Sequence, residues 1–261
     1  LTVSGIRDCQ GNRAGEDGLE AGALAAPGAG LVVINEIMYD PEDGKAEYVE
    51  LFLQGDRAVD LADFSIHLVE EDGIPDRPVA PSPHSRLFQP GQYLALTPSA
   101  GQLMHGYGLE TSGRWVEMED WPGLKNSSGK ICLTDRAGEV VDVAIYRDEM
   151  HMELLADPRG ISLERITARG SGTNPDNWHS ASSASGYATP GEKNSQSITE
   201  EYSDRLLEVS PEVFSPDNDG YNDLLTVTVS NGSPGWVIGV FITDLQGNRI
   251  RELANNHLAG P

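Results

Sequence analysis

Residues 47–53 read Glu-Tyr-Val-Glu-Leu-Phe-Leu, with Val49, Leu51 and Leu53 in step and Tyr48, Glu50 and Phe52 between them. A period of two sends successive side chains to opposite faces, which is the signature of a strand and not of a helix. The same device returns at 139–146, where Val141, Val143 and Ile145 alternate with Asp142, Ala144 and Tyr146, and more weakly at 60–68. Turn formers separate the runs: Asp40-Pro41-Glu42-Asp43-Gly44, Gln89-Pro90-Gly91-Gln92 and Asp135-Arg136-Ala137-Gly138. With 29 glycines and 16 prolines spread between short β-rich runs, the chain is held to an all-β fold with many turns.

Further strands are expected at 31–38, 131–134 and 161–166, and the turn at 135–138 makes a hairpin of the runs beside it. Residues 87–88 and 93–97 flank the turn at 89–92 as a hairpin or a strand bend. Pro78, Pro81 and Pro83 confine 77–83 to a loop or an edge. Residues 101–130 hold Trp115, Trp121 and several glycines but few strand-like runs, so they read as irregular. The count is seven to nine short strands without an amphipathic helix, which fits an immunoglobulin-like β-sandwich.

Composition divides the rest of the 261 residues. Residues 1–30 offer one strand (1–6), a turn cluster at 8–12 and a Gly/Ala/acid linker from 15. The main unit runs over 31–196, an acidic linker over 197–207, and a second β module over 208–261. Cys9 and Cys132 fall in different modules, and nothing in their spacing pairs them. Net charge is −23 and the isoelectric point about 4.4, a field that repels phosphate backbones and anionic membrane surfaces. Nucleic acid is therefore not an expected partner. The chain has no run of 18 apolar residues with which a helix could span a membrane.

Seven phrases over 33–194 carry a resemblance. They are Asn35-Glu36-Ile37, Tyr48-Val49-Glu50-Leu51, Pro90-Gly91-Gln92-Tyr93-Leu94, Leu133-Thr134-Asp135-Arg136-Ala137-Gly138, Ser162-Leu163-Glu164-Arg165, Asn177-Trp178 and Ala188-Thr189-Pro190-Gly191. In this order they resemble a lamin-tail domain of the bacterial type. The resemblance implies an immunoglobulin-like sandwich, found in bacterial secreted and surface proteins with no established activity of its own. Residues 3–12 resemble the last strand of a bacterial Ig-like repeat. Residues 209–253 resemble the start of the Ig-like modules of gliding-motility-associated and flagellar hook-capping-type proteins. That second module is expected as an incomplete sandwich with an unpaired edge.

Candidate chemistry is sparse. Asp217-Asn218-Asp219-Gly220-Tyr221-Asn222-Asp223 sets carboxylates two and four residues apart around a glycine. Asp217, Asp219 and Asp223, with the backbone carbonyl of Tyr221, could converge on a Ca²⁺ ion, a hard cation that takes six to eight oxygens. The alternative is an Asx-rich turn bonded to its own backbone. Glu36, Glu47 and Glu50 are tested as a glycosidase acid–base pair. Burial against backbone donors or Arg165 accounts for them equally, and this structural role is preferred. Trp115 and Trp121 are candidate binding aromatics, with core packing as the alternative. The six histidines (67, 84, 105, 151, 179, 257) form no metal-binding spacing, and no G-x-S-x-G elbow occurs. The expectation is a non-catalytic extracellular or cell-surface module serving adhesion, spacing or recognition. Its partners would be a protein or polysaccharide surface and the neighbouring domains of its own chain. The alternative is part of a secreted metal-dependent hydrolase or nuclease.

Overall fold

The structure, a computed structural model, describes residues 24–69, 77–109, 113–152, 155, 157–197, 207–229 and 236–259. The expected strand at 1–6, Cys9 and the linker up to residue 23 lie outside them. The chain divides into two compact units, the first holding residues up to 198 together with 217–220 and the second the remainder.

In the first unit eleven strands are described: β1 (Val32–Met38), β2 (Tyr48–Leu53), β3 (Val59–Asp60), β4 (Phe64–Leu68), β5 (Leu87–Phe88), β6 (Tyr93–Thr97), β7 (Trp115–Glu117), β8 (Ser128–Asp135), β9 (Val140–Arg147), β10 (Leu163–Arg165) and β11 (Trp178–Ser180). One sheet has the order β11-β10-β1-β2-β6-β7, and β4-β8-β9 form a second. All pairs are antiparallel except β6 with β7. The fold is all-β and immunoglobulin-like. Between the sheets lies a core that includes Ile34, Val49, Leu51, Leu53, Ile66, Ile131, Leu133, Val141 and Tyr146, all buried. The alternation of 47–53 is thereby used on both faces. Val49, Leu51 and Leu53 enter this core, while Tyr48 joins a smaller cluster with Met38, Ala46, Ala95, Leu103 and Ala188.

The hairpin at 135–138 forms as its residues require. Ser128 to Thr134 pairs with Val140 to Arg147, and Asp135 Oδ1 accepts from the amides of Ala137 and Glu139 at 2.8 and 2.9 Å. Two local expectations change. Residues 87–88 and 93–97 do not pair with each other: β5 pairs with β3 and β6 with β2, so the turn at 89–92 is a corner between sheets. A helix, α1 (Ala100–Tyr107), stands within the stretch read as irregular. Ser99 caps it by accepting from the Gln102 amide at 3.3 Å, and Gly108 closes it in the left-handed conformation. Eight residues burying only Leu103 leave no periodicity to read.

Among its described residues the second unit shows two antiparallel pairs: β12 (Leu207–Ser210) with β13 (Thr226–Val229), and β14 (Trp236–Thr243) with β15 (Arg249–Ala259). The Asp244 carboxylate ties the connecting turn by accepting from the amides of Gln246 and Asn248 at 2.9 and 2.8 Å.

Candidate functional site

The strongest concentration of chemistry lies on the face of the larger sheet turned away from the main core. In register, Glu36 of β1 stands opposite Glu50 of β2 on one side and Glu164 of β10 on the other. All three are fully buried at 0% exposure. Like charges directly opposite in a sheet repel, and burial adds a desolvation cost, so such a row persists only with dedicated hydrogen-bond donors. A bulge between Ile34 and Glu36 lets the run of β1 change register at Asn35, supplying one donor from the strand itself.

The remaining donors come chiefly from the closing phrase of the sequence. Glu36 Oε1 accepts from Tyr48 OH at 2.6 Å, Ser162 Oγ at 2.5 Å and the Thr189 amide at 2.9 Å. Glu50 accepts from Asn35 Nδ2 at 2.9 Å and from the Gly191 amide at 2.5 Å. Glu164 Oε2 accepts from Ser195 Oγ and the Gln196 amide, both at 2.8 Å. Thr189 Oγ1 sits between the central and one outer group, 3.0 Å from Glu36 Oε2 and 2.8 Å from Glu164 Oε1. Asn194 completes the join, donating through Nδ2 to the carbonyls of Asn35 and Arg165, each at 2.9 Å. Residues 188–196 thus form a strap clasped to three strands by their carboxylates. Gly191 is required there: its φ is +80°, and a Cβ would stand 2.6 Å from Cβ of Arg114.

This environment raises all three carboxyl pKa values. Burial pushes Glu36 up to about 7, with the neighbouring charge of Glu164 adding to it. Burial first and Glu36 second hold Glu50 well above the carboxylate range, and burial raises Glu164. The main opposing influences are hydroxyl and amide donors, not cations. Arg165, one of the expected partners of these glutamates, instead pairs with Asp142 at 2.7 Å and donates to the Ile34 carbonyl at 2.9 Å. Glu47 behaves separately, accepting from Trp121 Nε1 at 2.7 Å and the Leu124 amide at 3.1 Å. Trp121 also packs against the main core, and Trp115 against the cluster beside α1.

A second polar relay was not legible in the sequence. The Met152 amide donates to Ser180 Oγ at 3.0 Å, Ser180 Oγ lies 2.9 Å from His151 Nδ1, and His151 Nε2 lies 2.9 Å from Tyr39 OH. Tyr39 OH donates to Asp148 Oδ1 at 2.9 Å. Since the tyrosine proton goes to the carboxylate, Nε2 must carry the imidazole proton and Nδ1 must accept from Ser180. Burial holds His151 neutral, its pKa lowered to about 4. The order resembles an activated serine, but Ser180 is 0% exposed and closed to any substrate. Positions 39, 148, 151 and 180 carry no motif spacing. His84 and His105 are exposed and His67 is buried elsewhere, while the side chain of His257 lies outside the described residues.

At 217–223 the turn brings one carboxylate oxygen from each of Asp217, Asp219 and Asp223 within 4.8 Å of the others. Asp217 and Asp219 are exposed and Asp223 is buried, while Tyr221 exposes its ring. The Asx reading also holds locally, since Asp217 Oδ1 accepts from the Asp219 amide at 3.3 Å. Buried Asn218 anchors the turn, donating through Nδ2 to the Ala181 carbonyl at 3.0 Å and accepting at its own carbonyl from the Ser183 amide at 2.9 Å.

No helix among the described residues is long and apolar enough to cross a membrane. Residues 25–148 match the family model of the Lamin Tail Domain. No curated protein matches the chain.

Proposed function

We propose that the lamin-tail sandwich is a non-catalytic recognition or spacing module of a secreted, multidomain bacterial surface protein. The observation that carries this reading is the complete engagement of Glu36, Glu50 and Glu164. A glycosidase needs two carboxyl groups open to a sugar and to water. These three are buried and already bonded to the chain's own strap. The acidic surface, at a net charge of −23, suits a soluble extracellular module and disfavours a nucleic-acid partner. Protein or polysaccharide surfaces are the partner classes of this reading.

Incubating the full chain with purified bacterial cell-wall polysaccharides and with whole cells, then measuring both retention and release of reducing ends, tests it. Saturable retention without hydrolysis is expected. Divalent-metal-dependent hydrolysis of polysaccharide, or of DNA in a parallel reaction, would overturn it in favour of a secreted hydrolase or nuclease.

The convergence of Asp217, Asp219 and Asp223 favours one addition, a Ca²⁺ site completed by the Tyr221 carbonyl. Calorimetric titration of the full chain with Ca²⁺ checks this. A one-to-one isotherm supports the site, and no heat at millimolar Ca²⁺ removes it.

A further inference from the structure

The clasp has a hydrogen count that two ionised carboxylates cannot satisfy. A threonine hydroxyl carries one hydrogen, yet Thr189 Oγ1 lies at hydrogen-bond distance from two carboxyl oxygens, 3.0 Å from Glu36 Oε2 and 2.8 Å from Glu164 Oε1. The other oxygen of each group is fully committed. Glu36 Oε1 accepts from Tyr48, Ser162 and the Thr189 amide, and Glu164 Oε2 from Ser195 and the Gln196 amide. Thr189 can donate to one of the facing oxygens. The other must bring a hydrogen of its own or leave two lone pairs in contact in a dry site, which costs the full penalty of a buried unsatisfied group.

We infer that the strap at 188–196 is held shut by one proton bound between Glu36 and Glu164 across Thr189, which makes its closure proton-dependent. With Glu36 as the acid, its carbonyl oxygen Oε1 accepts the three donors and its hydroxyl Oε2 donates to Thr189 Oγ1, which donates onward to Glu164 Oε1. With Glu164 as the acid the chain runs the other way and closes equally well. Loss of the proton leaves two anions facing one hydroxyl, with Glu50 as a third acid in the next strand.

Among the described residues, the influences that lower the pKa values of Glu36 and Glu164 are hydrogen-bond donors, not cations. Tyr48 of β2 donates to Glu36, and Tyr107 of α1 and Tyr93 of β6 lie close enough for Glu36 and Glu50 respectively to raise their pKa values, after burial. His179 of β11 stands opposite Glu164 in register, with Nδ1 2.9 Å from the Ser180 carbonyl. Glu192 in the strap is paired with Arg114 at 2.5 Å, and Lys193 follows it. The rise of Glu36 to about 7 sets where the proton leaves. The folded pKa lies above the ordinary 4.5, so the contribution is complete below pH 4.5 and is lost as pH climbs through about 7.

Infrared spectroscopy and amide hydrogen exchange on the full chain test this together. At about pH 5 the wild type should show the carbonyl band of a buried protonated carboxyl, and the part of that band missing from Glu36→Gln should be gone by about pH 8.5. Protection of the Thr189, Gly191 and Gln196 amides, relative to those of β8 and β9, should fall by about tenfold or more over that interval. Glu36→Gln places a permanent donor against Thr189, so its strap protection should change by less than about twofold over the same interval. Where Glu36→Gln does not fold, Glu164→Gln presents the same amide from the other side, and the wild-type measurements decide alone if neither variant folds. Absence of the band near pH 5, or strap protection in the wild type that does not respond to pH, would overturn the inference.

Discussion

Two groups of three carboxylates sit in this molecule under opposite physical regimes. Glu36, Glu50 and Glu164 come from three adjacent strands, are wholly buried and accept hydrogen bonds from a dedicated strap. Asp217, Asp219 and Asp223 come from seven consecutive residues, and two of the three face water. The first group exacts a desolvation cost that only protein donors or protons offset, so it fixes structure. The second stands largely at the surface, where a hard cation can reach it. The comparison teaches that clustered acid alone says nothing of role, and that the donors around it decide.

Truncation should separate the two most sharply. Glu36→Ala strands Tyr48 OH and the Thr189 amide in a dry site and leaves Ser162 Oγ only its longer bond to the Tyr187 carbonyl at 3.3 Å. A loss of about 3–5 kcal/mol is expected in urea unfolding, from several unsatisfied donors and the cavity. A loss under about 1 kcal/mol would mean that water enters and the group is not a clasp. Arg165→Met probes the other buried charge, since it leaves Asp142 with the Ile34 amide at 2.8 Å but without its cation. About 3 kcal/mol should be lost by the same measurement. Adding Asp142→Leu should recover part of it, because removing both charges is cheaper than orphaning one.

The pH dependence sharpens the contrast within the first unit. Glu36 is raised from 4.5 to about 7, so its contribution falls as pH rises across that window. His151 is lowered from 6.5 to about 4, so its contribution falls as pH drops from 6.5 through 4. Each amounts to an effect on the order of 3 kcal/mol, and the two oppose each other between pH 4.5 and 6.5. Glu50 and Glu164 are raised as well and add to the fall, so urea midpoints of the wild type should decline as pH rises over that range. Those of Glu36→Gln should decline less steeply. An unchanged slope in Glu36→Gln would mean that Glu36 holds no extra proton in the folded state.

Much of this arrangement was written in the sequence, though not its purpose. The alternation of Val49, Leu51 and Leu53 with Tyr48, Glu50 and Phe52 placed Glu50 on the face opposite the core, because a strand has only two faces. The phrases Asn35-Glu36, Leu163-Glu164-Arg165 and Thr189-Pro190-Gly191 carried the resemblance to lamin-tail domains and turn out to be the two halves of one clasp. What could not be read was the pairing of Glu36 with both Glu50 and Glu164, which depends on registers set by a bulge and by contacts more than 100 residues apart. Of the two partners expected for the buried glutamates, the backbone amides hold them, while Arg165 turns to Asp142. Helix α1 and the Tyr39–His151–Ser180 relay were missed on different grounds. One is too short to show a period, and the other joins loops and strands whose meeting only the tertiary fold determines.

The open acidic turn supplies the smallest expected effect and the cleanest test of the contrast. In chelator, the Asp217→Asn, Asp219→Asn double variant should melt at or slightly above the wild-type temperature, because both side chains are exposed and their mutual repulsion is relieved. In millimolar Ca²⁺ the wild type should gain a few degrees, following the logarithm of free ion over its dissociation constant, while the variant gains nothing. Magnesium is the necessary control, since it demands a tighter octahedral shell and gives up its waters reluctantly. A shift with Ca²⁺ and not Mg²⁺ would fit a loop of flexible carboxylates and a backbone carbonyl. Equal shifts with both ions would reduce the turn to diffuse attraction by a chain of charge −23. The clasp variants discriminate further: Glu36→Gln should leave any Ca²⁺ shift unchanged, because a buried and internally satisfied carboxyl group has nothing to offer a hydrated cation.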